Sequence, residues 1–366
     1  MRRTPIAHVV FPRPNRERPV SELAWDAARR VAEAPELEVE IIVPVPMARG
    51  LTRKDWPDDI EQILSNLDPR PTLVPYIPVP RRSIESAAAS LSAHLVARRR
   101  ARRPSVLHGS FLDEGGYAAV SAARALGISA IAVGHGSDVV VAREDGSRAR
   151  RTRTTLHYAA DLVCVSDALA AEIAHFGRTA EVVRYGTDET RFPVQAMPAG
   201  PPVVLFVGPF SRAKGADVVL DAIARTNLSL RMIGSPGDVD VRAQIAALGI
   251  GSRVEVLGEV AHDALYQHYA AASMVVLPSR TEGFGTVLVE AILTGRPIVT
   301  TAVTEIASVG VGRVVPAGDA EALARAVEAV YGARWKPEAL RKQALPFTWS
   351  ATGGRLVDIT LNRIGG

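Results

Sequence analysis

Short apolar runs rich in β-branched residues alternate with alanine-rich segments along the first half of the chain. Residues 6–11 and 39–43 carry such runs, and residues 22–33 between them have the spacing of a helix. This order predicts a β-α-β unit. Further strands are predicted at residues 105–108, 129–133, 161–165 and 181–184. Because these runs are continuously apolar, we expect a parallel sheet that is buried on both faces.

A proline-rich stretch interrupts this rhythm near the middle of the chain. Residues 192–202 read Phe-Pro-Val-Gln-Ala-Met-Pro-Ala-Gly-Pro-Pro, which suits neither a helix nor a central strand, and we interpret them as a linker. The sequence therefore predicts an α/β protein with two doubly wound domains, residues 1–194 and 195–346, and a C-terminal helix over residues 347–366. The strands predicted after the linker are residues 203–207, 229–233, 253–257, 274–277, 297–301 and 313–315.

The composition fits two globular domains and narrows the expected location. Of 366 residues, 47% are hydrophobic and 22% are charged, which is typical of a folded enzyme. Cys164 is the single cysteine, so we expect no intrachain disulfide and a reducing compartment. The apolar run at residues 6–11 is too short for a signal peptide or a membrane span. These features predict a cytoplasmic protein.

Arginine-rich runs at residues 98–103 and 148–153 contribute to a net charge of +4 for the chain. One interpretation is solvated helix ends, where cations complement the helix dipole. The alternative is a patch for anionic lipid at the inner membrane face, or for an acidic acceptor. Aromatic residues make up 5% of the chain and do not interleave with these arginines, so nucleic acid is not an expected partner.

The most informative segment follows the apolar run that ends at Leu277. Residues 279–290 read Ser-Arg-Thr-Glu-Gly-Phe-Gly-Thr-Val-Leu-Val-Glu, which predicts a glycine loop and then a short helix that begins near Gly285. The free amides and the positive dipole end of such a helix favour a phosphate. Glu282 in the loop and Glu290 in the helix can accept hydrogen bonds from sugar and ribose hydroxyls. The alternative is that both carboxylates are solvated surface charges.

This segment resembles the Glu-x7-Glu motif of the retaining family 4 glycosyltransferases. The resemblance implies the GT-B fold, in which two Rossmann-like domains, one for the acceptor and one for the nucleotide sugar, have the active site in the cleft between them. It implies that Glu282 contacts the transferred sugar and has a catalytic role, and that Glu290 binds the nucleotide ribose. The other donor contacts that it implies are Gly283 and the backbone amides of Phe284, Gly285 and Thr286, with the base near Leu257 and Gly258.

A second glycine loop, at residues 208–215, is similar to the family's segment for the leaving diphosphate. It reads Gly-Pro-Phe-Ser-Arg-Ala-Lys-Gly and begins with the donor-binding candidate Gly208. The resemblance implies that Lys214 neutralises the diphosphate. The family has an arginine where this chain has Pro209. Arg212 is the candidate replacement, and the alternative is a solvated loop arginine.

In the first half, the segment from His135 to Asp138 reads His-Gly-Ser-Asp and resembles the family's His-Gly-x-Asp segment. The resemblance implies that His135 approaches the donor sugar near the reacting carbon. Asp138 is a candidate acceptor contact, or alternatively the cap of a turn. The N-terminal loop lacks the paired glycines usual in the family. Its Arg13 and Arg16 are candidates for an anionic acceptor, unless they are merely exposed.

Together these features predict a retaining glycosyltransferase that moves a hexosyl or N-acetylhexosaminyl group from a nucleotide diphosphate donor to a hydroxyl of a glycan, a lipid or a small molecule. A UDP-sugar is the favoured donor and GDP-mannose the alternative. No cofactor is expected, and no metal either, because no Asp-x-Asp lies in a setting suited to a divalent ion beside a diphosphate. Two other functions stay open: a sugar-nucleotide epimerase of the same fold, and a non-catalytic sugar-nucleotide binding module.

Overall fold

The structure is a computed structural model that describes residues 3–12, 20–47, 57–184 and 186–365. The chain divides into two compact units, Met1–Arg184 with Thr352–Gly366, and Tyr185–Ala351. The division after Arg184 comes earlier than the predicted boundary at residue 194.

Two arginines explain why the proline-rich stretch belongs to the second unit. Arg341 donates to the backbone carbonyl of Phe192 at 2.5 Å, and Arg296 donates to that of Ala196 at 2.7 Å. Arg296 is fully buried, so the carbonyls of Gln195 and Ala196 serve as partners for a cation that water does not reach. Residues 192–202, all of which are described, contain no helix or strand, as predicted.

The described residues of the first unit form a sheet of seven parallel strands in the order β3-β2-β1-β4-β5-β6-β7. The chain order reverses between β1 and β4, which is the position where doubly wound sheets open a crevice at the carboxyl ends of the strands. The strands are β1 (Thr4–Val9), β2 (Leu37–Pro46), β3 (Thr72–Tyr76), β4 (Val106–Ser110), β5 (Ser129–Gly134), β6 (Asp161–Cys164) and β7 (Glu181–Val182). The helices between them are α1 (Glu22–Ala32), α2 (Ile60–Ser65), α3 (Ser83–Val96), α4 (Gly116–Leu126), α5 (Ser137–Val140), α6 (Ser147–Tyr158) and α7 (Asp167–Ala174).

The described residues of the second unit form a sheet of six parallel strands in the order β10-β9-β8-β11-β12-β13. Here the reversal falls between β8 and β11, so the loops after these two strands are neighbours at one edge. The strands are β8 (Val203–Val207), β9 (Ser229–Ile233), β10 (Val254–Gly258), β11 (Met274–Leu277), β12 (Ile298–Thr301) and β13 (Gly312–Val315). The helices are α8 (Ala216–Ile223), α9 (Val241–Leu248), α10 (His262–Ala271), α11 (Thr286–Leu293), α12 (Ala320–Tyr331) and α13 (Pro337–Ala344).

Every strand predicted from the sequence is confirmed, with ends that differ by a few residues, and one strand was missed. The missed strand is β3, whose sequence Thr-Leu-Val-Pro-Tyr includes Pro75. Proline cannot donate to a neighbouring strand, so it argues against a central strand but is tolerated at an edge. β3 is an edge strand that pairs only with β2 among the described strands.

The last helix, α14 (Trp349–Gly365), belongs to the first unit from Thr352 onward. Arg363 binds both carboxylate oxygens of Asp161, at 2.6 and 2.5 Å. The buried Thr360 hydroxyl lies 3.1 Å from Nε2 of His108 on β4. Ionic and buried polar contacts therefore attach the helix to the parallel sheet.

The arginine-rich runs are used largely inside the first unit. Arg98 binds both oxygens of Glu40 at 2.5 and 2.8 Å, and Arg148 donates to the buried Asp113 at 2.5 Å. Arg99, Arg100 and Arg102 have exposed side chains, so these three could still meet an anionic surface. Within the described ranges, none of the helices combines the length and the apolar character that crossing a bilayer requires.

His108 is completely buried beside the hydroxyl group of Thr360. The Thr360 oxygen lies 3.1 Å from Nε2 of His108 and 2.8 Å from the carbonyl oxygen of Leu356. Burial lowers the pKa of His108 to about 4. The neighbouring His8, whose ring stacks on His108 at 5.3 Å, also has a pKa lowered by burial.

We expect acid to destabilise the first unit through His108. The native state keeps the imidazole neutral, whereas the unfolded chain takes up a proton below its ordinary pKa of about 6.5, so stability is lost as the pH falls from 6.5 toward 4. Between pH 7.5 and 5 this site should cost about 2 kcal/mol. Urea unfolding of His108→Gln should show a correspondingly flatter pH dependence, and the exposed His157→Gln should not. Equal slopes in both variants would contradict this interpretation.

Candidate functional site

Two glycine loops meet at the carboxyl edge of the second sheet. Gly215, at φ +76°, packs so closely on the other loop that a Cβ atom there would lie 2.4 Å from the carbonyl oxygen of Pro278. The carbonyl of Ala213 accepts a hydrogen bond from the amide of Arg280 at 2.8 Å. Only glycine permits this approach, so the sequence at residue 215 determines that the loops touch.

The contact brings Lys214 and Glu282 together, as the predicted site requires. The ammonium group of Lys214 lies 2.8 Å from Oε2 of Glu282. The side chains are 27% and 11% exposed, so the pair is partly shielded from water but open to a ligand. Glu282 also accepts hydrogen bonds from Ser279 at 3.3 Å and from the amide of Gly283 at 3.0 Å.

Helix α11 begins directly after this pair, at Thr286. Gly285 precedes it in a left-handed conformation (φ +90°), and within the described residues no side chain caps its first turn. Its first amides and the positive end of its dipole therefore remain available for an anion. The carbonyl of Phe284 is held by Thr304 at 2.7 Å, and the Phe284 ring is buried, so this residue can offer a ligand only its backbone.

Arg212 occupies a different environment from Lys214. Its guanidinium is 70% exposed and lies 3.6 Å from Asp217. That carboxylate is already bound in bidentate fashion by Arg280, at 2.9 and 3.0 Å, and Arg280 also donates to the carbonyl of Arg212. Sequence analysis missed Arg280, which fastens one glycine loop to the other. Whether Arg212 replaces the arginine missing at Pro209 stays a prediction.

Glu290, the predicted ribose contact, lies in a buried polar cluster. Its Oε2 accepts from the Tyr269 hydroxyl at 2.7 Å, and its Oε1 lies 3.0 Å from Nε2 of His262. The carboxylate is therefore not a solvated surface charge. A ribose would have to use the lone pairs that these two bonds leave. Sequence analysis missed both partners, although His262 and Tyr269 are seven residues apart and so share a face of α10.

The candidate base-binding residues close one end of the same edge. Gly258 ends β10 at φ +76°, and its carbonyl accepts from the amide of Gly234 at 2.8 Å. A Cβ atom on Gly234 would in turn lie only 1.8 Å from the carbonyl oxygen of Gly208. Leu257 is a large apolar residue, yet it is 38% exposed. The starts of the loops after β8 and β9 and the end of β10 are thus in contact at this edge.

In the first unit, His135 follows β5 and is nearly buried, with its ring stacked on that of Phe111. Asp138 accepts backbone hydrogen bonds from Leu112, His135 and Gly136 and is 1% exposed. This geometry favours the turn cap over the acceptor contact for Asp138. Burial raises the pKa of Asp138 to about 6. Arg13 and Arg16, the other acceptor candidates, lie outside the described residues.

Comparison with known families accounts for both units. Residues 20–191 match the family model described as Glycosyltransferase Family 4, and residues 187–345 match the one described as Glycosyl transferases group 1. Together the two models cover residues 20–345 and support a GT4-type glycosyltransferase. A D-inositol 3-phosphate glycosyltransferase from Catenulispora acidiphila is 30% identical over 63% of this chain. One from Geodermatophilus obscurus is 34% identical over 42%. The matched parts cover 60% and 39% of those relatives' lengths.

Solved structures with low sequence identity share the fold. Sucrose-phosphate synthase from Thermosynechococcus elongatus superposes with a TM-score of 0.78 at 19% identity, covering 98% of this chain and 99% of that one. Anabaena HepE in complex with UDP-glucose gives 0.76 at 16% identity, covering 98% and 99%. The two parallel sheets and these neighbours establish the GT-B fold.

We expect the buried cluster around Glu290 to stabilise the second unit. Tyr269→Phe removes a hydrogen bond to a buried carboxylate and should lower the free energy of unfolding by about 2 kcal/mol. Tyr266→Phe is the matched control, because that hydroxyl bonds an exposed Gln195 side chain, and it should change stability by less than about 0.5 kcal/mol. Urea unfolding measures both. Equal losses would show that Tyr269 does not hold Glu290.

Proposed function

We propose that this chain transfers a sugar, with retention at the anomeric carbon, from a nucleoside diphosphate donor to an acceptor hydroxyl. The observation that carries the proposal is the pairing of Lys214 with Glu282 at the start of α11. A cation for a diphosphate and a carboxylate for sugar hydroxyls lie within one hydrogen bond of each other, beside free helix amides. The matches to two glycosyltransferase family models support the same chemistry.

In this proposal, different residues of the site bind different parts of the donor. Lys214 and the amides of residues 284–286 receive the diphosphate as it takes up negative charge, and each preorganised donor is worth about 3 kcal/mol in the transition state. Glu282 accepts hydroxyls of the transferred sugar, Glu290 meets the ribose, and the base lies against Leu257. We favour a UDP-sugar over GDP-mannose because UDP-glucose is the ligand in the HepE structure.

His135 in the first unit approaches the reacting carbon from the acceptor side in this proposal. The acceptor is a hydroxyl compound, and the names of the relatives point to a polyol phosphate as the first candidate to test. The transferred group is a hexose or an N-acetylhexosamine. The leaving phosphate takes the acceptor proton, and Lys214 with the helix amides supplies the positive charge, so the scheme contains no metal and no cofactor.

The ion pair makes donor binding a competition. Without donor, Glu282 neutralises Lys214; when a diphosphate binds, the ammonium turns to the stronger anion and the carboxylate is released to the sugar hydroxyls. Removing the charge of Glu282 should therefore free Lys214 for phosphate and also remove like-charge repulsion. We therefore expect substitutions of Lys214 and Glu282 to differ in their effect on donor binding, although both impair transfer.

We expect substitutions of Lys214 and Glu282 to have opposite effects on UDP binding and the same effect on sugar transfer. Lys214→Met should weaken UDP binding about tenfold, the value of a charge-assisted hydrogen bond, and lower kcat about 100-fold. Glu282→Gln should bind UDP as well as or better than the native chain while losing transfer to a similar degree. Calorimetric titration and a transfer assay measure the two. Lys342→Met, an exposed lysine on α13, is the control and should change neither.

Other outcomes identify the alternatives. Full transfer in both variants would remove the proposed site. Conversion of the sugar nucleotide in the absence of any acceptor would indicate the epimerase. UDP binding with the expected pattern but no turnover across a panel of donors and acceptors would indicate a non-catalytic binding module.

A further inference from the structure

Phe111 has a backbone conformation that a bulky residue rarely adopts. Its φ is +64°, in the left-handed region, and it opens a π-helical turn, Phe111–Gly115, directly after β4. For an L-residue with a side chain this conformation is strained. Such strain persists only where the surroundings determine it, and it concentrates at functional sites.

The surroundings of the turn fix it from both sides. The carbonyl of Leu112 accepts from the buried Thr155 hydroxyl at 2.7 Å, and the amide of Leu112 donates to Asp138 at 2.9 Å. Gly109 and Gly115 touch so closely that a Cβ on Gly109 would lie 2.2 Å from the carbonyl oxygen of Gly115. No residue with a side chain fits at position 109 without displacing Gly115, so the contact restricts the conformation of the turn.

The result of this turn is an aromatic stack. The Phe111 ring lies on the imidazole of His135, with centroids 4.2 Å apart and an angle of 26° between the planes. The carboxylate of Asp138 binds the amide of His135 at 3.0 Å and that of Leu112 at 2.9 Å. One buried carboxylate therefore sets the backbone of His135 and the backbone next to Phe111 at the same time.

We propose that Phe111 is a positioning residue for His135, and that the strained turn exists to hold the Phe111 ring against the imidazole. The inference rests on the proposed function, in which His135 approaches the reacting carbon. Asp138 fixes the backbone of His135 through hydrogen bonds from its amide. The flat face of Phe111 lies against the imidazole and restricts its orientation, so the ring is in place before the sugar arrives.

The alternative is that Phe111 only fills space, since it also packs against the apolar cluster that contains Trp25 and Ile41. Phe111→Leu separates the two roles, because leucine keeps the apolar bulk but has no ring to stack. Phe111→Tyr keeps the ring and should rescue the loss. Phe176→Leu is the control, a partly buried phenylalanine of the same unit outside the site.

The kinetic test is a double-mutant cycle with His135→Ala. We expect Phe111→Leu to lower kcat about tenfold with KM changed less than about twofold, as for a lost aromatic stack that acts in the transition state. In the His135→Ala background the same substitution should have no further effect. An undiminished tenfold loss in that background would overturn the proposal, because Phe111 would then act without His135.

A second readout does not need activity. In the stack, the ring current of Phe111 should move the Cε1 proton resonance of His135 upfield, and His135→Ala identifies that resonance by its loss. Phe111→Leu should return it toward the position of an unstacked histidine, whereas Phe111→Tyr and Phe176→Leu should not. An unchanged resonance in Phe111→Leu would overturn the proposal. If the resonance moves but no variant or native chain transfers sugar, the proposed function fails and the positioning of His135 stands.

Discussion

The close contact between two loops of the second unit is the constraint on which its candidate site depends. The loops follow β8 and β11, which are neighbours in the sheet although the residues that meet are 68 positions apart in sequence. Gly215 permits the contact, and the bond from the Arg280 amide to Ala213 maintains it. Lys214 and Glu282 then form an ion pair, since each is the nearest opposite charge to the other at the start of α11. A larger residue at position 215 would separate the loops and so the pair.

The polar groups of the two candidate regions, one on each unit, differ in how far they are buried. In the second unit, the partly exposed side chains of Lys214 and Glu282 form an ion pair. In the first unit, the polar groups near His135 are buried: Asp138 accepts backbone amides from two loops, and burial lowers the pKa of both His108 and His8. An ion pair within reach of a ligand therefore lies on one unit, and a buried polar scaffold lies on the other.

The sequence predicted the strands and glycine loops because buried parallel strands and helix starts leave local patterns. The resemblance to the glycosyltransferase motifs implied that Lys214, Glu282 and the start of α11 belong to one site, and the structure brings them together because β8 and β11 are neighbours. Sequence analysis missed edge strand β3 because the strand contains Pro75. Proline argues against a strand that has neighbours on both sides but is tolerated at an edge, and this depends on the sheet and not on the local sequence.

Contacts between distant residues could not be predicted in the same way. The bond of Arg280 to Asp217, the partners of Glu290 on α10, and the stack of Phe111 on His135 depend on how elements pack, not on any one segment. The positive φ of Phe111 has no local signal either, because the residue type argues against it. The turn-capping role of Asp138 was one of two alternatives, and its burial favours that role.

The most direct measurement is a crystal structure of this chain with bound UDP. The account predicts that the diphosphate lies at the first amides of α11, with its terminal phosphate on the ammonium group of Lys214 and with Glu282 released from that lysine. UDP bound elsewhere, with the Lys214–Glu282 pair intact, would contradict the central claim.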